Sequence, residues 1–405
     1  MHLLYVNSYL PYADTEQGTW GRKFVNELRD AGVEVTTVPP YEDAGVDSGD
    51  DTPRGVSNLL RIRTLKRYLP ARFVHWLIEP GMIVRGLLNT VRLWRLARRI
   101  AVGTPDLVYG RELYYDWAPW LIGRSFKRPF VLEVQGLHYF ERTFRGLRQS
   151  HLLRAFERVQ WRRASYLRVA SKPVGKLLEE EGVDPSRIRF IPYGVEIRPR
   201  PRAISRPGPE SAKIAFVGSF YPWHGVETLL RAFALVRQDI PDARLELIGD
   251  GLTRVDNERL AAELGIDDAV HFTGWLPRDI MLDRVGASDI AVAPFLTLYY
   301  FDPAKVLDYM STGVAIIASR LDRAAEILQY GRGGALVPPG DAGALAKEVL
   351  SLSRDPNRRA RLGASAQEIL VEEGYSEGAV TESLLALCAK AVDAGVPTSA
   401  AGRAD

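Results

Sequence analysis

Short apolar strands alternate with amphipathic helices through most of the chain, and this alternation constrains the fold more than any other feature. "HLLYVNSYL" (2–10) passes through a Gly- and Pro-containing loop into a helical pattern, and "KIAFVGSF" (213–220) does the same. Similar apolar runs lie at 106–110, 130–136, 166–171, 188–194, 243–251, 269–275, 289–295 and 315–319. Strands of this length between helices form βαβ units with parallel sheets. The pattern therefore predicts a doubly wound α/β fold.

A proline-rich segment divides the two series of strands. "EIRPRPRAISRPGPESA" (196–212) cannot continue a strand or a helix interior, so it is predicted to link two domains. The predicted boundaries are 1–196 for the N-terminal domain, 197–212 for the linker and 213–373 for the C-terminal domain. Residues 374–394 are predicted to form a helix that packs back towards the N-terminal domain, and 395–405 a disordered tail. Ligands of such sheets bind beyond the carboxyl ends of the strands, so two facing domains make a cleft.

Charge is distributed unevenly between the two halves. Residues 1–200 hold 32 Lys/Arg and 22 Asp/Glu, or +10, whereas the remaining residues hold 21 and 28, or −7. The stretches 61–100 and 141–172 carry Trp, Phe and Leu between arginines. This composition fits a helix on an anionic membrane surface, and it equally fits a solvated helix whose arginine stems cover apolar surface. Nucleic acid is disfavoured, because no motif that reads bases is present.

The cellular location is predicted from three features that the sequence lacks: a pair of cysteines, a signal peptide and a transmembrane helix. The single cysteine, Cys388, allows no intramolecular disulfide, which suits a reducing compartment. The N-terminal stretch has no basic region ahead of its short apolar run, so a signal peptide is not predicted. No uninterrupted apolar run approaches 18 residues, so no transmembrane helix is expected. These features predict a cytoplasmic protein, at the inner face of the membrane if the basic stretches bind lipid.

The segment "FDPAKVLDYMSTG" (301–313) carries the most specific chemistry. Asp302 is a good N-cap and Pro303 a good first helical residue, so a helix is predicted to open directly after the strand at 289–295. Its first N–H groups favour an anion, and Lys305 adds a positive charge there. Asp308 follows one turn later and can accept the two hydroxyls of a ribose. The segment therefore predicts a site for a nucleoside diphosphate.

Several motifs in order resemble the family 4 glycosyltransferases of the GT-B fold. They are "KIAFVGSFYPWHGVETLLRAF" (213–233), "LELIGDG" (245–251), "VHFTGWLPRDIMLDRVGASDIAVAPF" (270–295), "FDPAKVLDYMSTGVAIIAS" (301–319) and "GGALVPPGD" (333–341). The fourth is similar to the family's Ser-Pro-x-Lys-x-x-Glu variant of its Glu-x7-Glu motif. The resemblance implies two Rossmann-like domains facing a cleft, and a hexosyltransferase that retains anomeric configuration. It also implies a nucleotide sugar as co-substrate, with no metal and no other cofactor.

The resemblance assigns roles residue by residue. Asp308 matches the carboxylate that binds the donor ribose, whereas Tyr300 stands where the motif has its first Glu. Ser219 and His224 match the Arg and Lys that hold the pyrophosphate, and His224 is expected to donate a hydrogen bond or to be charged below about pH 6.5. The predicted catalytic residues are Gln135, His138 and Lys305. The predicted donor-binding residues are Gly18 in an N-terminal glycine-rich loop, Gly218, Ser219, His224, Trp275, Leu276, Tyr300, Asp302, Lys305 and Asp308.

Other interpretations stay open at this point. Lys305 and Asp308 also fit a surface ion pair on a helix. A nucleotide-sugar epimerase of the same fold is an alternative, and so is a non-catalytic partner that lost donor chemistry, since Tyr300, Ser219 and His224 all depart from the motif. The acceptor is a glycan, a lipid-linked sugar or a small molecule. A nicotinamide-dependent dehydrogenase is disfavoured, because no Gly-x-Gly-x-x-Gly follows either first strand.

Overall fold

The computed structural model describes residues 1–8, 16–40, 71–101, 103–139, 150–199, 212–297 and 303–396, with the backbone alone at 16–20 and 71–79. The chain divides into two compact units. Unit 1 contains Met1–Pro192 and the residues from Thr381 onward, and unit 2 contains Tyr193–Val380. Within the described residues, no helix is both long enough and apolar enough to cross a lipid bilayer.

Unit 1 is built on one sheet of six parallel strands in the order β2-β1-β3-β4-β5-β6. The strands are β1 (His2–Val6), β2 (Glu34–Val38), β3 (Leu107–Arg111), β4 (Phe130–Val134), β5 (Tyr166–Val169) and β6 (Ile188–Phe190). The helices between them are α1 (Glu16–Asp30), α2 (Ala71–Ile100), α3 (Ala118–Phe126), α4 (His151–Arg163) and α5 (Lys172–Glu180). β3, β4 and β5 are buried along their full length, as expected for strands covered on both faces.

Unit 2 repeats the architecture with a sheet ordered β12-β11-β10-β7-β8-β9, again parallel. The strands are β7 (Lys213–Val217), β8 (Arg244–Ile248), β9 (Val270–Gly274), β10 (Ile290–Ala293), β11 (Ala315–Ser319) and β12 (Ala335–Val337). The helices are α6 (Val226–Asp239), α7 (Arg254–Glu263), α8 (Arg278–Gly286), α9 (Ala304–Thr312), α10 (Asp322–Ile327), α11 (Ala342–Arg354), α12 (Pro356–Glu372) and α13 (Glu377–Ala394). The core packs Phe216 and the aliphatic residues of the sheet against α11 and against α6, which contributes Phe233.

The predicted doubly wound fold is confirmed in both units, and every apolar run singled out in the sequence contains a strand. β2 was missed, because only two residues of "EVTTV" are apolar, and these two valines are separated by two threonines. β12 lies inside "GGALVPPGD", which was interpreted as a loop after the last strand.

The segments between and beyond the domains were predicted as a linker and a tail. Arg198 lies against unit 2, where its N–H donates to the Ser311 carbonyl at 2.9 Å and its guanidinium pairs with Asp279 and Asp283. Residues 200–211 and 397–405 lie outside the described part of the chain. α13 begins in unit 2, and from Thr381 its residues belong to unit 1, where the Thr381 hydroxyl donates to Glu27 at 3.1 Å.

Candidate active site

Lys305 lies in the first turn of α9, at the carboxyl end of β10, and is 8% exposed. Its Nζ lies 4.0 Å from the ring centre of Phe216 and 4.7 Å from that of Phe295. Among the described residues, this ammonium has no hydrogen-bond partner. Burial without a counter-charge holds the Lys305 pKa well below its ordinary value. The side chain is therefore a cation placed where an anionic ligand would relieve an energetic cost.

The start of α9 differs by one residue from the prediction. The helix begins at Ala304, with Pro303 in the capping position and without a side-chain cap. Pro303 is therefore the residue before the helix and not its first member, because its ψ of 82° is not helical. The helix ends at Gly313, whose φ of 67° provides a left-handed cap of the kind that glycine favours.

Gly218 allows the Lys305 amine to reach the end of β7. Its φ is +134°, and a Cβ atom added there would lie 2.7 Å from Lys305 Nζ. A side chain at this position would thus displace the ammonium as well as strain the backbone. Gly218 and Lys305, predicted together as donor-binding residues, are brought together by the fold.

His224 follows the same strand but cannot act as predicted. Its ring Nδ1 is hydrogen-bonded to the Ser219 carbonyl, which can only accept, so Nδ1 carries the proton and Nε2 is an acceptor. Burial, with the nearby Lys305 charge, lowers the His224 pKa to about 4. The expectation that His224 is charged below about pH 6.5 is wrong, because a second cation in this buried pocket is disfavoured. At neutral pH the ring has neither a positive charge nor a second N–H to give an anion.

Asp308 lies one turn beyond Lys305 and is 8% exposed. The Arg278 guanidinium donates to both of its carboxylate oxygens, at 2.6 and 3.4 Å. Arg278 opens α8 immediately after "TGWLP", and the sequence analysis missed it. A lone arginine thirty residues away carries no local signal, although its position in the motif that was matched to the base pocket could have drawn attention to it.

The predicted base contacts lie on the loop between β9 and α8. Trp275 is 64% exposed and Leu276 is partly buried. The preceding Gly274 has a φ of +72°, and its carbonyl accepts the Gly249 N–H at 2.9 Å. The fold thus brings this loop to the end of β8, and the base-binding role stays a prediction.

Three of the predicted donor residues are not placed as expected or are not described. Gly18 lies in the first turn of α1, so the predicted glycine-rich loop is helical at this position. The good helix formers of this helix lie further on, at Arg22, Lys23, Glu27 and Leu28, and the helix extends back from them through Gly18. Tyr300 and Asp302 lie outside the described residues, and so does any capping role of Asp302.

Gln135, predicted as catalytic, follows β4 in unit 1 and bridges two charged side chains. Its carbonyl oxygen accepts a hydrogen bond from Arg111, and its NH₂ group donates to Glu133 at 2.8 Å. Glu133 in turn pairs with Arg168 at 3.1 Å. Both ends of the Gln135 amide therefore hold a buried network, and its catalytic role stays a prediction.

His138 is fixed by a residue that the sequence analysis missed, Glu157 on α4. The Glu157 carboxylate accepts the His138 backbone N–H and its ring Nδ1–H, both at 3.0 Å, and the Tyr139 N–H at 3.4 Å. Burial raises the Glu157 pKa. The His138 ring also packs against Tyr114, with ring centres 4.2 Å apart. This arrangement makes Nε2 the proton-accepting atom of His138.

Glu112 completes a group of three potential metal ligands with His138 and Glu157, whose ligand atoms lie within 4.8 Å of one another. One Glu112 oxygen accepts the Trp161 indole N–H at 2.7 Å, and the His138 Nδ1–H is already donated to Glu157. These hydrogen bonds use only one Glu112 oxygen and one His138 nitrogen, so they do not exclude a metal. The prediction of a metal-free reaction is left as it stands.

Two units that each have a six-stranded parallel sheet flanked by helices fit the GT-B class of fold, and so do the solved structures that resemble this chain. A solved sucrose-phosphate synthase from Thermosynechococcus elongatus aligns with 98% of this chain and 100% of its own, with a TM-score of 0.73 and 19% identity. Anabaena HepE, solved with UDP and glucose, aligns with 96% of this chain and 100% of its own, with a TM-score of 0.63 and 16% identity. At these identities the likeness concerns the fold.

Two family models identify the chain more closely. "Glycosyl transferase 4-like domain" matches residues 19–194, and "Glycosyl transferases group 1" matches residues 211–355. The chain belongs to the family 4 glycosyltransferases. It is 30% identical over 217 residues to D-inositol 3-phosphate glycosyltransferase 2 of Catenulispora acidiphila, a match that covers 50% of this chain and 50% of that relative.

Proposed function

We propose that this protein transfers a hexose from a nucleoside diphosphate sugar, with UDP or GDP as the nucleotide, to a hydroxyl acceptor. The reaction is proposed to retain anomeric configuration, as the family resemblance implies, and to need no metal. The observation that carries the proposal is the buried Lys305 ammonium, which lacks a counter-charge within the described residues and lies in the first turn of α9. A diphosphate supplies the missing negative charge, and the helix N-terminus adds its own N–H groups.

In this proposal Lys305 acts on the leaving group. Negative charge grows on the β-phosphate as the bond from the sugar to the phosphate oxygen breaks, and a fixed cation in an apolar pocket stabilises that charge strongly. The open approach at Gly218 lets the phosphate and the amine meet without a side chain between them. Asp308 binds the ribose hydroxyls once Arg278 releases one of its oxygens. His224, neutral at pH 7, serves to hold the Ser219 loop and not to neutralise phosphate.

Nucleotide binding tests the proposal and separates it from the alternatives. One of UDP, GDP and ADP should raise the melting temperature, and Asp308→Ala should reduce that rise. Asp242→Ala, at an exposed acid of the same unit, is the matched control. If none of the three nucleotides raises the melting temperature, the non-catalytic partner is favoured. If a nucleotide sugar is converted to its epimer and none is hydrolysed or transferred, the epimerase alternative is favoured.

We also propose that α2 contacts an anionic membrane. Its buried residues Gly86, Thr90, Leu93 and Ala97 form one stripe, and the opposite face leaves four large apolar side chains in solvent: Val84, Leu87, Leu88 and Val91. The same described part of the helix holds no acidic residue and exposes Arg85, Arg92, Arg95, Arg98 and Arg99. An apolar ridge flanked by arginines fits an interface of acyl chains and phosphate groups. The rest of the first basic stretch and residues 141–149 lie outside the described side chains.

Liposome flotation tests the membrane contact. The full chain should float with vesicles that contain phosphatidylserine, and Leu88→Gln with Val91→Gln should abolish flotation more completely than 0.5 M salt does, since the ridge contributes apolar burial as well as charge. Leu235→Gln, at an exposed leucine of unit 2, is the control. Absence of flotation at low salt would refute the contact and leave the solvated-face interpretation.

A further inference from the structure

Three charged residues stand side by side across the middle of the unit 1 sheet. Arg111 on β3 is in register with Glu133 on β4, and Glu133 is in register with Arg168 on β5. Neighbouring residues of parallel strands point to the same face, so the three side chains form a row. All three are buried, with exposures of 7%, 5% and 4%. The row lies at or near the carboxyl ends of its strands, the edge at which parallel sheets bind ligands.

The charges of this row are unequally paired. Arg168 pairs with Glu133 at 3.1 Å and also donates to the carbonyls of Ile191 and Pro192, at 2.9 and 2.8 Å. Glu133 further accepts the amide of Gln135 at 2.8 Å. Arg111 donates only to the neutral carbonyl oxygen of Gln135, and no carboxylate of the described residues lies within ion-pair distance of it. Two guanidinium groups and one carboxylate give the row a net charge of +1.

A buried guanidinium with only a neutral partner is unfavourable, because a charge removed from water needs an opposite charge nearby. Gln135 keeps Arg111 oriented while leaving its charge uncompensated, and it also separates Arg111 from Glu133. The planar guanidinium suits a phosphate or a carboxylate, which it can bind through two parallel hydrogen bonds. The arrangement thus has the positive charge and the N–H donors that bind an anion.

We propose that Arg111 binds an anionic group, a phosphate or a carboxylate, on the acceptor substrate. The proposal rests on the proposed function only in calling the ligand an acceptor, since the donor pocket is built from residues of unit 2. Gln135 is then a positioning residue for Arg111. The anion is carried either by a soluble sugar or polyol or by a lipid headgroup, and both present the same chemistry to the guanidinium.

The test measures anion binding with the donor pocket disabled. In a Lys305→Met background, calorimetry compares glucose 6-phosphate, glucuronate, inorganic phosphate and glucose. We expect at least one anion to bind and glucose not to bind detectably. Arg111→Met should weaken that binding about 10- to 100-fold, and Arg111→Lys should weaken it less. Arg124→Met, at an exposed arginine of the same unit, should have no effect.

A second measurement guards against misfolding. Because Arg111 forms no ion pair with any residue that the structure describes, Arg111→Met should leave the melting temperature unchanged or raise it. Arg168→Met, which leaves the Glu133 carboxylate without its ion-pair partner, should lower it. Vesicles containing phosphatidic acid replace the soluble anions in a further arm, and Arg111-dependent binding there alone would assign the anion to a lipid headgroup. The proposal is overturned if no anion in either arm binds, or if Arg111→Met binds as tightly as its parent. Nucleotide binding by the unsubstituted chain is scored separately, so either proposal can fail alone.

Discussion

Replacing Lys305 with methionine tests the central physical claim about the donor pocket. Methionine has nearly the same length and volume, so the substitution removes the charge while keeping the contacts with Phe216 and Phe295. The ammonium is 8% exposed and has no hydrogen-bond partner among the described residues. Removing the Lys305 charge should therefore stabilise the free protein and destabilise the nucleotide-bound protein.

The magnitude follows from two opposing effects. Burying an unpaired ammonium costs several kcal/mol, about 3–5 kcal/mol after relaxation. The two aromatic rings, at 4.0 and 4.7 Å, return about 1 kcal/mol each. The net gain for Lys305→Met is about 1–3 kcal/mol, which corresponds to a rise of about 2–12 °C in the melting temperature of a unit of this size. Loss of charge-assisted hydrogen bonds to phosphate should weaken nucleotide binding about 10- to 150-fold.

Two assays measure these opposite changes on the same samples. Differential scanning calorimetry of the free chain gives the melting temperature, and isothermal titration with the nucleotide that binds gives the affinity. Lys347→Met, at an exposed lysine on α11, is the matched control and should change neither quantity appreciably.

One combination of melting temperature and nucleotide affinity would contradict a phosphate-binding role for Lys305. If Lys305→Met lowers the melting temperature and leaves nucleotide affinity unchanged, then the ammonium is a structural group and not a ligand for phosphate. A gain in stability with unchanged affinity would keep the desolvation argument but would remove Lys305 from the donor site.

Three further predictions concern the same unit. The His224 pKa of about 4 lies below its value of 6.5 in an unfolded chain, so the unfolded chain takes up the proton first as the pH falls. The free energy of unfolding should therefore fall by up to about 3 kcal/mol as the pH drops from 6.5 to 4. Urea unfolding of His224→Asn should show a shallower pH dependence. Gly225→Ala should destabilise unit 2 by at least about 3 kcal/mol, because the added Cβ would lie 1.8 Å from the Pro294 carbonyl oxygen at a φ of +71°; a soluble variant with unchanged thermal unfolding would contradict this. Tyr309→Phe should cost about 1–3 kcal/mol in chemical denaturation, because the Tyr309 hydroxyl accepts the buried Val217 N–H at 2.8 Å.

Periodicity predicted the fold well, because parallel strands buried on both faces leave long apolar runs that few other structures explain. β2 escaped for the opposite reason, since "EVTTV" lies at an edge of the sheet and is partly polar. The α9 cap at Gly313 was predictable from local chemistry, whereas the exact first residue of α9 depended on the ψ of Pro303. Helix termini are the least certain part of any sequence-based assignment.

The site was predictable only where its residues share one motif. Lys305 and Asp308 stand on a single helix turn, so spacing revealed them. Arg278 reaches Asp308 from 30 residues away, and Glu157 reaches His138 from 19, distances at which no local pattern operates. The low pKa of His224 also depends on burial beside Lys305, which a sequence does not show.

The ion pair between Arg278 and Asp308 determines which nucleotides could compete with the guanidinium for the Asp308 carboxylate. A ligand reaches this carboxylate only by an exchange, in which its own hydroxyls replace the guanidinium fork. The ribose of a ribonucleotide has two hydroxyls that can donate to the Asp308 carboxylate, whereas a 2′-deoxyribose has only one. A 2′-deoxynucleotide therefore replaces only one of the two hydrogen bonds that Arg278 gives to Asp308. If Asp308 binds the donor ribose as proposed, this ion pair should favour ribonucleotides over 2′-deoxynucleotides.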